Sequence, residues 1–172
     1  GYATGVGDAQ LVAGNWVTAA TTDDMVLIQY RQTTTFTGNL VLNNKSGSAP
    51  YPSSVTFQLR NPGTQTIVES PVATVNTSTG ALTVEIVQGN WDLSYKYQGW
   101  LRQTMAIVSP GGSAALTFIM DSGDSFSDNQ VDLLDLNSIL TEFANAPGTD
   151  FADLDKSGQV DLNDLTIVLL NF

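Results

Sequence analysis

The chain has no cysteine and no histidine. Their absence excludes thiol nucleophiles, zinc held by Cys or His, and every Ser-His or Cys-His catalytic arrangement. Catalysis would have to rest on carboxylates. No disulfide can stabilise the fold, so any additional staple must come from a metal ion or a partner. No run approaches the roughly 18 consecutive apolar residues of a membrane helix. The N-terminus also lacks a basic stretch followed by an apolar one, so any export signal is expected to have been removed already. Basic residues are scarce: six Lys and Arg against seventeen Asp and Glu give a net charge of −11 and a pI near 4.1. Such a surface repels a phosphate backbone, and nucleic acid is not an expected partner. The chain has 172 residues, 42% of them apolar. That is enough to bury a core in one ordinary domain or two small ones.

The charge is unevenly placed. Residues 1–120 carry six acids (Asp8, Asp23, Asp24, Glu69, Glu85, Asp92) and five bases (Arg31, Lys45, Arg60, Lys96, Arg102). Residues 121–172 carry eleven acids and one base, Lys156, and so hold ten of the eleven net negative charges. An acidic block is often a solvated tail. This one is interleaved with Val131, Leu133, Leu134, Leu136, Ile139, Leu140 and Phe143, then with Val160, Leu162, Leu165, Ile167, Val168, Leu169, Leu170 and Phe172. Disordered acidic tails lack that apolar pattern.

Before Asp121 the chain reads as short strands between turns. Strands are predicted over Met25–Tyr30, Phe36–Leu42, Ser54–Arg60, Thr66–Val75, Ala81–Val87, Trp91–Tyr97, Leu101–Val108 and Ala114–Met120. Val55-Phe57-Leu59, Leu82-Val84-Ile86 and Trp91-Leu93-Tyr95 alternate with polar neighbours, and turn formers fill the gaps. Strands at this spacing without a helical period predict a mainly β chain, an antiparallel sandwich over 36–120. Residues 1–35 differ. Gly1 to Thr22 is rich in Gly, Ala and Thr, and the segment reads as a linker, a first strand, or an arm that adds to a neighbour.

The acidic segment 121–172 contains an internal repeat: Val131-Asp132-Leu133-Leu134-Asp135-Leu136 parallels Val160-Asp161-Leu162-Asn163-Asp164-Leu165, 29 residues on. The second copy ends a twelve-residue loop of EF-hand type, Asp153 to Asp164. Oxygen side chains fall at positions 1, 3, 5, 9 and 12 (Asp153, Asp155, Ser157, Asp161, Asp164), with Gly158 at the sharp turn and the Gln159 carbonyl at position 7. Calcium takes about six to eight oxygen ligands, and this set supplies them. The first copy aligns as Asp124 to Asp135, with Asp124, Asp128, Gln130, Asp132 and Asp135 as ligand candidates. There Phe126 holds position 3 and Asn129 position 6. A calcium site in this loop is expected to be weaker than that of the second copy, completed by water or by Ser125 or Ser127, or lost. Apolar stretches of helix length, Leu133–Phe143 and Leu162–Leu170, follow the loops. Folding should therefore couple to metal binding.

At these residues the segment resembles a type I dockerin. Upstream, Val55 to Gly63, Gly89 to Leu93 and Gly99 to Arg102 resemble a carboxypeptidase-regulatory or Cna B-type sandwich, Ig-like or prealbumin-like in form. The resemblance covers about Phe36 to Phe172. It implies a β-sandwich followed by a small all-α dockerin-like pair of calcium loop-helix repeats, in a secreted or cell-surface bacterial protein that works by protein-protein association. The implied partner is a cohesin-like domain bound through helix residues, here Leu133, Leu134, Asn137, Ser138, Asn163 and Thr166. Identical subunits, or the chain's own sandwich, are the alternatives.

These readings predict a non-enzymatic, calcium-stabilised structural protein, possible as a filament subunit whose arm adds a strand to a neighbour. The alternative is an accessory glycan-binding and docking region of a secreted polysaccharide-degrading enzyme. For that role Trp16, Trp91, Tyr95, Tyr97 and Trp100 would form the sugar platform, although a stripe that includes Leu93 is more often core. Glu69, Glu85 and Asp92 are carboxylates without a supporting motif. Cna B-type domains sometimes carry a Lys-Asn isopeptide bond; Lys45 or Lys96 with Glu85 would supply one here. Asn44 and Asn76 head N-glycosylation triplets.

Overall fold

The computed structural model describes residues 31–144 and 151–172 in full and, before them, the backbone of three strands, β1 (Ala9–Val12), β2 (Trp16–Ala20) and β3 (Met25–Gln29). These three pair antiparallel with one another in the order β1-β2-β3. The rest of the expected 1–30 portion of the arm, and the side chain of Trp16, lie outside the described residues.

Two sheets face each other across the main core. One has five strands, β4 (Thr33–Leu42), β5 (Ser54–Thr56), β8 (Val72–Val75), β9 (Ala81–Val87) and β13 (Gly112–Met120), in the order β13-β4-β9-β8-β5. The other has four, β6 (Gln58–Arg60), β7 (Ile67–Glu69), β10 (Gly89–Tyr95) and β12 (Gln103–Ser109), in the order β12-β10-β6-β7. The alternations read in the sequence point inward: Val55, Phe57, Leu59, Leu82, Val84, Ile86 and Leu93 are all buried. Phe57 sits at the centre, edge-on to Phe118 (ring centroids 5.2 Å apart) and to Tyr95 (5.6 Å). Truncating such a side chain to Ala costs about 3–5 kcal/mol.

Two predicted strands are each divided between the sheets. Ser54–Arg60 becomes β5 and β6, and Thr66–Val75 becomes β7 and β8. Both halves cross over at the same level, where the Phe57 N–H donates to the Pro71 carbonyl (2.9 Å). Proline offers no N–H to continue a ladder, so the pair turns the corner there and re-forms in the opposite sheet. A period-two pattern looks the same on either side of such a corner.

The sandwich is not wholly antiparallel. β13 runs parallel to β4, in register from Gly112 beside Thr34 to Met120 beside Leu42. Parallel pairing needs a long connection between partners, and here all the intervening strands supply it. The contact is close at Gly38: a Cβ there would lie 1.6 Å from the Leu116 carbonyl oxygen.

Beyond β13 come β14 (Ser122–Asp124) and two ten-residue helices, α1 (Leu133–Glu142) and α2 (Leu162–Asn171). β14 pairs with β11 (Gly99–Trp100). Ile139, Ala152, Leu154, Val160, Ile167 and Val168 form a second, smaller core beneath the helices. No helix among the described residues is long and apolar enough to cross a membrane.

Candidate metal centre

Both helices start the same way because the sequence repeats. Asp132 and Asp161 are extended N-caps whose carboxylates accept from the N–H groups of Leu134 and Asn163 (2.7 Å each). Three residues on, Asp135 and Asp164 reach back to the cap N–H groups of Asp132 (2.8 Å) and Asp161 (2.9 Å), completing capping boxes. An aspartate in the first turn is also favoured by the helix dipole.

The loops before the helices match in their backbone. Residues four and six positions into each loop adopt left-handed conformations, Ser127 (φ 69°) and Asn129 (φ 72°) in the first, Lys156 (φ 59°) and Gly158 (φ 96°) in the second. The first carboxylate of each loop accepts from the residue at position 6: Asn129 N–H to Asp124 Oδ2 at 3.0 Å, Gly158 N–H to Asp153 Oδ2 at 2.9 Å. The last carboxylate accepts from position 3: Phe126 N–H to Asp135 Oδ1 at 2.8 Å, Asp155 N–H to Asp164 Oδ1 at 3.2 Å.

Their carboxylates are arranged differently. Asp153, Asp155 and Asp164 each present an oxygen within 4.8 Å of the others, and among the described residues this is the one group of three or more potential ligating side chains gathered so closely. Asp153 and Asp164 are buried and Asp155 half-buried. Burial pushes the Asp153 and Asp164 carboxyls up from their usual range and the Asp155 charge adds to it, while N–H donors oppose the shift. Three carboxylates held together at such cost are a fit place for a cation. The donors are all oxygen, which suits a hard divalent ion such as calcium. Ser157 is exposed, with its Oγ 3.3 Å from the Gln159 carbonyl, which brings two more expected donors to the loop. Asp161 is occupied as the helix cap.

The first loop brings its candidates together less tightly. Asp124 and Asp135 are buried, whereas Asp128 and Gln130 are exposed, with the Gln130 N–H bonded to Asp128 Oδ1 (2.9 Å). Asp132 caps its helix and Phe126 is 56% exposed. Lys96, which the sequence suggests only as an isopeptide donor, directs its ammonium to Asp124 Oδ2 and to the Trp100 carbonyl (2.6 Å). The Asn129 side-chain oxygen accepts the backbone N–H of Arg102. The loop is thus tied to the sandwich, as is the second loop through the Ser46 N–H and the Asp155 carbonyl (2.6 Å). None of these ties has a signal in the linear spacing.

The other candidates are placed elsewhere. Trp100 is fully buried, its indole N–H donating to the Asn43 carbonyl (2.9 Å). Tyr95, Tyr97 and Trp100 stack in series, and Trp91 donates to the Val87 carbonyl (2.9 Å). This aromatic series packs on the core. Glu69 pairs with Arg31 (3.4 Å), Asp92 accepts from the Gly63 N–H (2.7 Å), and Glu85 is exposed on β9. Lys45 bonds to the Ser46 carbonyl (2.8 Å). Asn44 and Asn76 are exposed.

No family model matches the chain, and no curated protein does. Among solved structures, it resembles a chain from a type II cohesin-X-dockerin complex of Acetivibrio cellulolyticus carrying a C-terminal interface mutation. The TM-score is 0.62 at 22% identity, over 81% of this chain and 95% of that one. A complex from the same organism with an N-terminal interface mutation gives 0.59 at 21% identity, over the same shares. At this identity the likeness shows the fold, which is mainly β with a sandwich of sheets.

Proposed function

We propose that the chain is a non-enzymatic assembly module of a secreted or cell-surface bacterial protein, in which a β-sandwich (36–120) carries a dockerin-like, calcium-stapled pair of loop-helix repeats (121–172). The observation that carries this reading is the convergence of Asp153, Asp155 and Asp164 at the start of α2, in the second copy of a repeated loop and helix. Asp153, Asp155 and Asp164 would hold the ion, with Ser157, the Gln159 carbonyl and Asp161 as outer or water-bridged donors. Bound there, the ion would neutralise clustered carboxylates that otherwise repel one another, so its binding energy becomes folding energy.

The helices also leave apolar side chains in solvent. Leu133, Leu134 and Leu140 on α1, and Leu162, Leu169 and Leu170 on α2, are 47–79% exposed. Such exposed apolar side chains on both helices support a role for this end of the chain in association. The structural likeness is to a chain of a complex described as cohesin-X-dockerin, which supports a protein partner of cohesin type, with identical subunits through 1–35 as the second arrangement. Glycan binding has less support, since the aromatic series packs on the core.

Titration calorimetry with a type II cohesin domain, in calcium and in chelator, tests the reading, alongside light scattering of the chain with and without residues 1–30, which precede β4. Calcium-dependent binding, or self-association lost with the arm, is expected. The absence of both cohesin binding and self-association, in calcium and in chelator alike, would overturn it.

A further inference from the structure

The two loops share a backbone and differ in how their first carboxylate is compensated. Asp153 faces Asp155 and Asp164. Asp124 faces an ammonium. Lys96, between β10 and β11, reaches across to Asp124 Oδ2, and the pair is withdrawn from water, with side-chain exposures of 18% and 0%. The remaining carboxylate oxygen, Asp124 Oδ1, is buried with no hydrogen-bond partner. A buried carboxylate in that state requires a positive charge beside it. The two departures from the calcium-loop pattern fit the same arrangement. Phe126 at position 3 removes the oxygen that Asp155 supplies in the second loop. Asn129 at position 6 replaces glycine and uses its side chain to accept the Arg102 N–H, a bond that glycine could not make. β11 and β14 pair across this junction, Gly99 beside Asp124 and Trp100 beside Ser122.

We propose that the first loop is a metal-free joint in which the Lys96 ammonium stands where the second loop takes its ion, so that the chain binds a single calcium ion. The count of one rests on the calcium reading of the second loop, whereas the role of Lys96 does not. The duplicated loop has thereby been divided between two tasks. One copy answers to calcium in the medium, and the other fastens the helices to the sandwich with a cation that belongs to the chain and cannot be chelated.

Native mass spectrometry of the whole chain in calcium counts the ions, and hydrogen exchange in calcium and in chelator follows the Phe126 and Asn129 amides, which the buried carboxylates hold. One ion is expected on the unaltered chain and none on Asp153→Asn, with the first-loop amides equally protected with or without calcium. Lys96→Met should lose that protection and lower Tm in chelator by about 10 °C, the scale of a broken buried pair. Lys96→Arg should retain most of it. Two ions on the unaltered chain would overturn the proposal and leave the second-loop site standing. No ion, with Lys96→Met still destabilising, would remove the second-loop reading and leave the lysine joint. Unchanged protection and Tm in Lys96→Met would overturn the joint whatever the ion count. If Lys96→Met does not fold, the ion count and the calcium-independence of protection in the unaltered chain decide.

Discussion

The first and second loops repeat the same left-handed turns, the same caps and the same carboxylate bonds from positions 3 and 6, yet one gathers three carboxylates while the other sets a lysine against its buried aspartate. A loop of this shape therefore does not by itself gather a cluster of carboxylates. The backbone fixes where oxygens can converge, and the side chains at positions 3 and 6, with whatever reaches in from the neighbouring sheet, set the charge that surrounds them. The local sequence carries the first half of that statement. The second half depends on a residue 28 positions away, Lys96.

The comparison can be broken most severely at position 12. Asp164 accepts from the N–H groups of Leu154 (2.7 Å), Asp155 (3.2 Å) and Asp161 (2.9 Å), and Asp135 from those of Phe126 and Asp132. Removing either strands buried donors, at a cost of about 3 kcal/mol or more. Asp164→Ala should lose the ion as well, about 4 kcal/mol at a thousand times the dissociation constant. Denaturant unfolding in calcium and in chelator should show the cost of Asp164→Ala growing with calcium and that of Asp135→Ala unmoved. Equal calcium dependence in the two variants would show that the loops do not differ.

Acid should sharpen the difference next. Asp153 and Asp164 have folded pKa values raised chiefly by burial. In the metal-free chain their contribution to stability is complete below the unfolded aspartate range and is lost as pH rises through the raised values. Ion binding requires the charged forms, so the sign reverses in calcium. Affinity should fall about tenfold per pH unit for each carboxyl taking up a proton, starting above the usual aspartate range. The Tm gain from calcium, followed from pH 7 down to pH 4, should shrink over that window. A gain that holds constant until ordinary aspartates titrate would count against the clustered site.

The smallest effect is expected at Asn129, where Asn129→Gly relieves a left-handed φ of 72° but loses the bond to Arg102. These oppose each other at roughly 1 kcal/mol each, so stability should hold while the Arg102 amide exchanges faster. Unaltered exchange would mean that the side chain does not fasten the loop.

How far the fold could be read from the sequence follows from the range of the interactions involved. Val55-Phe57-Leu59 and Leu82-Val84-Ile86 announced their buried faces, because side-chain alternation is a local property of a strand. The repeated Val-Asp-Leu phrases announced both helices for the same reason, whereas the capping boxes at their starts emerged only from the structure. The corner at Phe57 and Pro71 was hidden, since alternation continues when a strand changes sheets. So was the parallel pairing of β4 with β13, a contact between distant segments. The aromatic stripe read more readily as core than as a sugar platform, and the stacking of Trp100 on Tyr97 and its bond to Asn43 place it there.

That parallel pair bears on how the protein would respond to tension. A pull on β4 at Thr33 and on β13 at Met120, in opposite directions, slides the two strands lengthwise past each other. The ladder between Gly112–Met120 and its partners on β4 then shares the strain along its whole length, rather than opening one rung at a time from an end. At Gly38 the strands lie so close that a single added carbon would meet the Leu116 carbonyl, which leaves no room for a bulkier side chain at that rung. Lengthwise sliding of the two strands would therefore have to break the whole ladder together, a constraint that a comparison of thermal stabilities would not expose.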